Sequence, residues 1–538
     1  MKKLSLLFLV CTGLFFNSCE DATNIIQDGE FSEAATFRTV ADMQLFLYEV
    51  YDRASVQNEI GFTAIMTDEA AVGNQNAGQD KDLYGFVLNS NDGYADGIWA
   101  GQYNMINYAN RLLRGAARVT PEPGEEAEYN SIIAQAKALR AFGHFELLAY
   151  YSTNMADDNA LGVILMDRVP GIAEELPRNT NGEVFALIES DLDFAYNNII
   201  DPTAAVVNAK PWTFLSKNAI NALRARMYLY RGNYTLALQY ANQVIADSPA
   251  LTIATPVPAG VVGSTAWNNS FYSATAPANP YRKMLADFER GEIIWSLDRP
   301  AGKGSVAGLF YFNRTNFTGG CYHDMSRNMF NILEGSVPPT VNNASNSSDI
   351  RRFAYIDPTS KIDQPGYSTY TPANGDYTTD ASYQLNDALL IDKYPGKSGA
   401  DLNSDLKVFR VSEMYFIRAE ALVAAGDLAG AAVAIKAVRD ARTFRAPFPV
   451  LPVYANATAA LTDILLERRL ELAFEGHRYL DLKRLGAATG QTIDRYVRDC
   501  ETVPTCSIAN GDYRFTMPIP IAEMNTNAQI QQNPGYDE

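Results

Sequence analysis

The chemistry this sequence could perform is best judged from its scarcest reactive residues. It holds three histidines, His144, His323 and His477. None belongs to an H-E-x-x-H metal motif, and no G-x-S-x-G nucleophile turn is present. No Cys/His spacing suggests zinc. Gly302-Lys303-Gly304 followed by Ala307 mimics a dinucleotide-binding turn but lacks the strand–turn–helix setting that gives such a turn its function. Asp401, Asn403 and Asp405 alternate like the start of a calcium loop, yet Leu406 stands where that loop requires glycine. A loop-bound calcium stays open there beside a plain polar turn, and no other cofactor is expected. Glu467, Glu471, Arg478, Asp481 and Arg484 form the densest charged block. Their helical or near-helical spacing suits ion pairs within the helix and to its neighbours. Carboxylates on one helix do not flank a sugar from two sides, as glycoside hydrolysis requires. The chain therefore reads as a binding protein and not an enzyme.

Binding a glycan needs a flat apolar face for the C–H side of the sugar and polar groups for its hydroxyls. The sequence carries 30 Tyr, 26 Phe and 4 Trp, most of which must simply pack. Trp267, Trp295, Tyr311 and Tyr322 are candidates because they lie in or near an irregular middle region. Trp295 sits in an apolar run, the setting of a core residue.

The elements that must position these residues are mainly helical. Residues 131–151 place apolar side chains at spacings of three and four, and residues 183–200 repeat the pattern. Residues 214–249 carry Ala225, Tyr228, Gly232, Tyr234, Ala237 and Pro249 at the spacings of a tetratricopeptide helix pair. Small alanines allow two antiparallel helices to approach, Tyr228 fills the gap between them, and proline stops the second helix. Residues 411–442 repeat the arrangement with Ala419, Leu422, Gly426, Ala431, Ile435 and Val438, and Gly426-Asp427 corresponds to Gly232-Asn233 at the turn. A further helix is expected over 462–485. Between the repeats, about 250–404 is rich in Pro, Gly, Asn, Ser, Thr and Tyr and reads as ordered loops and small hairpins laid over the scaffold.

The two ends add information about location. Lys2 and Lys3 precede a short apolar run from Leu4 to Phe16, and Ser18 stands directly before Cys19. That order describes residues 1–18 as a lipoprotein signal peptide and Cys19 as the acylated residue. Two or more acyl chains anchor a protein stably without a transmembrane helix, each buried CH₂ contributing about 0.8 kcal/mol. Residues 19–30 then form a tether, and 31–538 a single domain. Cys500 and Cys506 bracket a five-residue loop and are a candidate disulfide in an exported protein. The net charge of −18 repels phosphate backbones and anionic lipid, which argues against nucleic-acid binding.

Several dispersed segments resemble the SusD/RagB family of nutrient-binding lipoproteins. The most specific runs from Glu467-Arg468-Arg469 through Glu475-Gly476-His477-Arg478 to Asp481-Leu482-Lys483-Arg484. Phe409 to Ala421, Ala138-Leu139-Arg140-Ala141-Phe142, and the closing Met517-Pro518-Ile519-Pro520 and Gln532-Asn533-Pro534-Gly535-Tyr536 are similar to the family's other blocks. The resemblance implies a helical, tetratricopeptide-like fold on the outer face of the outer membrane. It implies capture of oligosaccharides, or in some members peptides, for a partner SusC-type TonB-dependent transporter. A tetratricopeptide-type protein scaffold is a third reading. The segment opening at Trp99 resembles one in which an aromatic and a nearby amide border the ligand, which makes Trp99 and Gln102 candidate binding residues.

Overall fold

The computed structural model describes residues 36–536, apart from 74–75, 204–209, 301–302, 311–320, 336–344, 361–388, 398–402 and 501–502. The expected signal peptide, tether and acylated Cys19 lie outside the described residues.

Eleven principal helices build the scaffold: α1 Val40–Arg53, α2 Gln57–Met66, α3 Gly93–Ala116, α4 Glu126–Tyr151, α5 Asn181–Asn198, α6 Lys217–Tyr230, α7 Tyr234–Asp247, α8 Val411–Ala424, α9 Leu428–Arg442, α10 Ala457–Glu471 and α11 Arg478–Thr489. Their starts are written locally. Thr39 with Asp42, and Thr180 with Glu183, form reciprocal capping boxes at α1 and α5. Asn233 and Asp427 cap α7 and α9 immediately after Gly232 and Gly426, whose φ values of 72° and 82° are costly for residues with a Cβ. These two turns make the α6–α7 and α8–α9 hairpins, the repeats expected over 214–249 and 411–442. Ala225, Ala237, Ala419 and Ala431 are fully buried where the helices meet, and Tyr228 stacks on Tyr240 at 5.7 Å. α7 packs on α8, so the two hairpins join side by side although some 160 residues separate them in sequence. α10 then covers α8, and α11 follows α10.

The single helix expected over 462–485 is two. The chain breaks between Glu471 and Arg478, where Phe474 and Gly476 both have positive φ, 60° and 86°. The carbonyls freed by the break are taken by buried donors. Lys393 Nζ donates to Glu471 O and Ala473 O at 2.9 and 2.7 Å, and Tyr394 Oη to Phe474 O at 2.7 Å. Those donors come from the loop-rich region, which is why helical periodicity alone did not place the break.

In that region the apolar run 293–297 is strand β2, Ile293–Leu297, and its tryptophan is buried as an apolar run suggests. The described strands do not form local hairpins. β2 pairs antiparallel with β4, Leu406–Arg410, and β1, Ala70–Val72, pairs antiparallel with β3, His323–Met325. Long-range pairing pins the loops to the scaffold at both edges, and a large hydrophobic core runs through scaffold and loops, with a smaller one among α8, α9 and α10.

A buried charge network reinforces this junction. Glu471 accepts from Arg410 Nη1 at 2.6 Å, from Arg442 Nη2 and Nε at 2.8 and 2.9 Å, and from Arg351 Nη1 at 3.2 Å. Glu292 accepts from the same Arg410 and Arg442 at 2.8–2.9 Å. Burial alone would raise the Glu471 carboxyl, but Arg442 and Arg410 outweigh it and hold the group well below the carboxylate range. Other members of the charged block also reach across elements: Arg478 grips Asp68 at 2.9 Å, Arg468 meets Asp481 at 2.7 Å, and Arg484 meets Glu420 at 2.7 Å. Of the block's pairs among the described residues, Arg484–Asp481 is the one within a helix. The block is thus a set of buried struts, with arginines contributed by several elements.

Candidate functional site

The start of α3 lies against the start of α2 and the loop after β1, and the three enclose an open cleft of about 450 Å³. Asn58, Gly78, Asp80, Lys81, Asp82, Asp92 and Tyr94 line it. Local sequence explains the arrangement. Asp92 caps α3 by accepting the backbone N–H of Tyr94 and Ala95 at 2.9 and 3.1 Å, which fixes Tyr94 in the first turn. Gly61 of α2 makes room for the ring: a Cβ there would lie 2.8 Å from Tyr94 Cε1. Gly97 does the same for Asn58, whose Nδ2 lies 2.6 Å from the position a Cβ would take. Two glycines therefore seat an aromatic face and an amide side by side at the rim.

Lys81 lines the cleft between Asp80 and Asp82, and among the described residues these acids form no ion pair with a lysine or arginine. Burial raises Asp80, which faces His323 Nε2 at 3.8 Å. His323 is itself pushed down to about 4 by burial and is neutral at physiological pH. Burial also raises Asp92, against the opposing pull of its two N–H donors. Asn76 closes the far side, its Nδ2 donating to Gln79 O at 2.9 Å and to Tyr322 O at 3.0 Å. The arrangement offers one half-buried ring, an amide and carboxylate acceptors, a set suited to sugar hydroxyls.

The six residues put forward from sequence fare differently. Trp99 is on α3, five residues beyond Tyr94, but it faces the core at 4% exposure. Its Nε1 donates to Glu523 at 3.2 Å, and its ring meets Tyr103 and Tyr151 edge-on at 4.9 Å. Gln102 is likewise buried, donating to Glu59 Oε1 at 2.6 Å and to Ser55 O at 3.0 Å. Both therefore brace α3 against its neighbours and present no face to a ligand. Trp267 stacks on Phe271 at 4.6 Å, and Trp295 meets Phe142 edge-on at 5.1 Å; both are fully buried and offer no platform. Tyr322 is half-buried, and its carbonyl is held by Asn76 and by Gly73 N at 2.8 Å, next to the cleft loop. Tyr311 lies outside the described residues. Sequence reading did not single out Tyr94 or Asn58, which line the cleft. The available signal was the Asp92-Gly93-Tyr94 helix start, which places an aromatic on the exposed first turn.

Of the residues with calcium-like spacing, Asn403 and Asp405 are held by protein groups. Asp405 is engaged by Lys210 at 2.9 Å, by Lys397 and by the Arg299 N–H at 2.9 Å, while Asn403 donates to Pro300 O. Lysines already neutralise the carboxylate a cation would need, and Asp401 lies outside the described residues. Cys500 and Cys506 are joined, with their Cα atoms 5.3 Å apart, and Cys321 is buried. Among the described residues, no helix is long and apolar enough to cross a membrane.

Comparison with known proteins agrees with the architecture. The family model described as "SusD family" matches residues 335–536, and that described as "Starch-binding associating with outer membrane" matches residues 26–229. SusD-like protein P2 of Formosa agariphila is 24% identical over 556 residues, covering 100% of both chains. The crystal structure of a SusD superfamily protein from Bacteroides thetaiotaomicron superposes with a TM-score of 0.69 at 21% identity, covering 92% of this chain and 100% of that one. A laminarin-binding SusD-like protein superposes with a TM-score of 0.64 at 21% identity, covering 93% of this chain and 100% of the other.

Proposed function

The chain belongs to the SusD-like family, and from that premise we propose that it is a surface glycan-binding lipoprotein that captures oligosaccharides at the Tyr94 cleft. A partner SusC-type TonB-dependent transporter in the outer membrane would receive them for import. The observation that carries this reading is the pairing of Tyr94 with Asn58 at the rim of an open cleft, made possible by Gly61 and Gly97. The ring supports the apolar face of a sugar, and Asn58 and Asp80 receive its hydroxyls. The laminarin-binding relative and the starch-binding family description support a glycan ligand. Anchoring through acylated Cys19 would hold the cleft outside the cell.

The function on this reading is capture without turnover. Asp92 is committed to capping a helix, and affinity must stay modest because the ligand has to be released. Titration calorimetry of the mature protein with laminarin, starch oligosaccharides and a peptide panel tests it. We expect a glycan to bind wild type and to bind Tyr94→Ala at least tenfold more weakly, with no shortening of the chain. Binding of peptides with no glycan bound would instead make this an oligopeptide-binding member of the family. Co-purification of a large β-barrel with the lipoprotein would support the transporter partnership, whereas a soluble periplasmic partner would favour a scaffold role.

A further inference from the structure

A second cavity lies away from the cleft, between the C-terminal end of α4 with its following loop, the α6–α7 turn, and α11. Its volume is about 210 Å³, and Thr153, Asn154, Tyr230, Tyr234, Lys483 and Arg484 supply its polar and aromatic lining. We propose that this cavity binds a small organic carboxylate, held by the ammonium of Lys483 with the help of Arg484 and Tyr230.

The argument begins with unmatched donors. Lys483 Nζ donates to Ser152 O at 2.7 Å and to Ala149 O at 3.2 Å, two carbonyls at the end of α4. An ammonium has three N–H groups, so one remains. Lys483 has no carboxylate partner among the described residues. Arg484 beside it is charge-matched by Glu420 and Asp481, but its Nε–H has no acceptor among the described residues. Tyr230 is buried, carries the Arg484 guanidinium over its ring at 4.7 Å, and has a hydroxyl with no partner among the described residues. The Arg484 Nε–H and the Tyr230 hydroxyl are buried donors without acceptors, which is costly, and the half-buried Lys483 lines the cavity beside them. A carboxylate is acceptor-only and carries the charge that Lys483 lacks.

The surrounding groups do not supply that charge. α4 presents no acid to the cavity. Arg231, in the α6–α7 turn, is paired with Glu189 and Asp158, at 2.6 and 3.0 Å. On α11, Asp481 is occupied by Arg468 and Arg484. Burial accordingly pushes Lys483 down to about 7, with no neighbouring anion to oppose it. The protein's overall negative charge does not forbid an anion here, because exposed charges farther than about 8 Å are largely screened at physiological salt. The cavity's size suits a molecule the size of a monosaccharide acid and not a long chain, although the terminal uronate of an oligosaccharide presents the same chemistry.

The mature protein is titrated with galacturonate, trigalacturonate and, as a neutral control, glucose, at pH 6 and pH 8. The Lys483 side-chain resonance of isotopically labelled protein is followed in parallel. We expect saturable galacturonate binding that is about tenfold weaker at pH 8, because the ammonium form required for binding becomes the minority above pH 7. The Lys483 resonance should report a higher pKa in the bound state. Lys483→Met should weaken binding at least tenfold, and Tyr94→Ala should leave it unchanged, which separates this site from the glycan cleft. Trigalacturonate binding as well as galacturonate identifies a chain end as the ligand, and galacturonate binding alone identifies a free small acid; both support the site. Equal affinity at the two pH values, a Lys483 resonance unmoved by ligand, or no saturable carboxylate binding would overturn it. The resonance is read in wild type, so the test survives a Lys483→Met protein that does not fold.

Discussion

Gly61 and Tyr94 are in contact across the α2–α3 interface, so closely that a single methyl on Gly61 would stand 2.8 Å from the tyrosine ring and 3.1 Å from Leu309. The position of the cleft's aromatic face is therefore set by the absence of a side chain on the neighbouring helix.

Gly61→Ala should displace Tyr94 outward, since the ring is partly exposed while Gly61 lies in the buried helix α2. Glycan affinity should fall about tenfold, equivalent to about 1.4 kcal/mol. Stability should fall by roughly 1–3 kcal/mol or less, the usual cost of overpacking. Calorimetric binding alongside thermal melting separates the two effects. An unchanged affinity would show that Tyr94 does not touch ligand.

Trp99→Phe discriminates a brace from a platform. The substitution keeps an aromatic ring against Tyr103 and Tyr151 but loses the donor to Glu523. The expected cost is about 1 kcal/mol in denaturant unfolding, with glycan affinity within twofold of wild type.

Glu471→Gln should be severe. It leaves Arg410 and Arg442 sharing only Glu292 and Glu475 where Glu471 had also served them. Breaking a buried ion pair from one side typically costs about 3–5 kcal/mol, and the loop-rich region should detach before the helical hairpins. Hydrogen exchange would show early opening around residues 292 and 410; uniform loss of protection would contradict it.

The pH dependence of stability has a definite sign at Glu59. Burial, aided by Glu146, raises its carboxyl to about 8 in the folded protein, while burial raises Glu146 to about 7. As pH rises, the unfolded chain releases these protons first. The stability contributed by the neutral forms is full below the ordinary glutamate value and is lost as pH climbs towards 8. Glu59→Gln, which keeps an oxygen acceptor for Gln102, should melt close to wild type at pH 5 and gain on the order of 2–4 kcal/mol over it at pH 9. Parallel melting curves across that range would contradict the assignment.

Cys19→Ala should release the protein from membranes into the soluble fraction without changing its melting temperature, read by fractionation and by mass spectrometry of the mature amino terminus. Retention of the variant on membranes would exclude acylation at this cysteine as the anchor.

What could be read from the chain alone was what depends on neighbours in sequence. The alanine spacing and the glycine turns at 232 and 426 specify two helix hairpins because close packing and a left-handed turn are local demands. The apolar run around Trp295 marked a core segment because neighbouring apolar side chains are a local signal, but its strand partner at 406–410 was not legible. The charged block at 467–484 was legible as structural, but not its partners, because Asp68, Arg351, Arg410 and Arg442 approach from distant parts of the chain. The residues that line the cleft were the least legible. Trp99 and Tyr94 lie on one helix five residues apart, so they face different directions, and only the packing of α2 and the 517–536 segment decides which side is core. Composition determined that aromatic rings would be abundant; tertiary structure buried Trp99, Trp267 and Trp295 and left a tyrosine at the cleft, because the largest apolar surfaces gain most by leaving water.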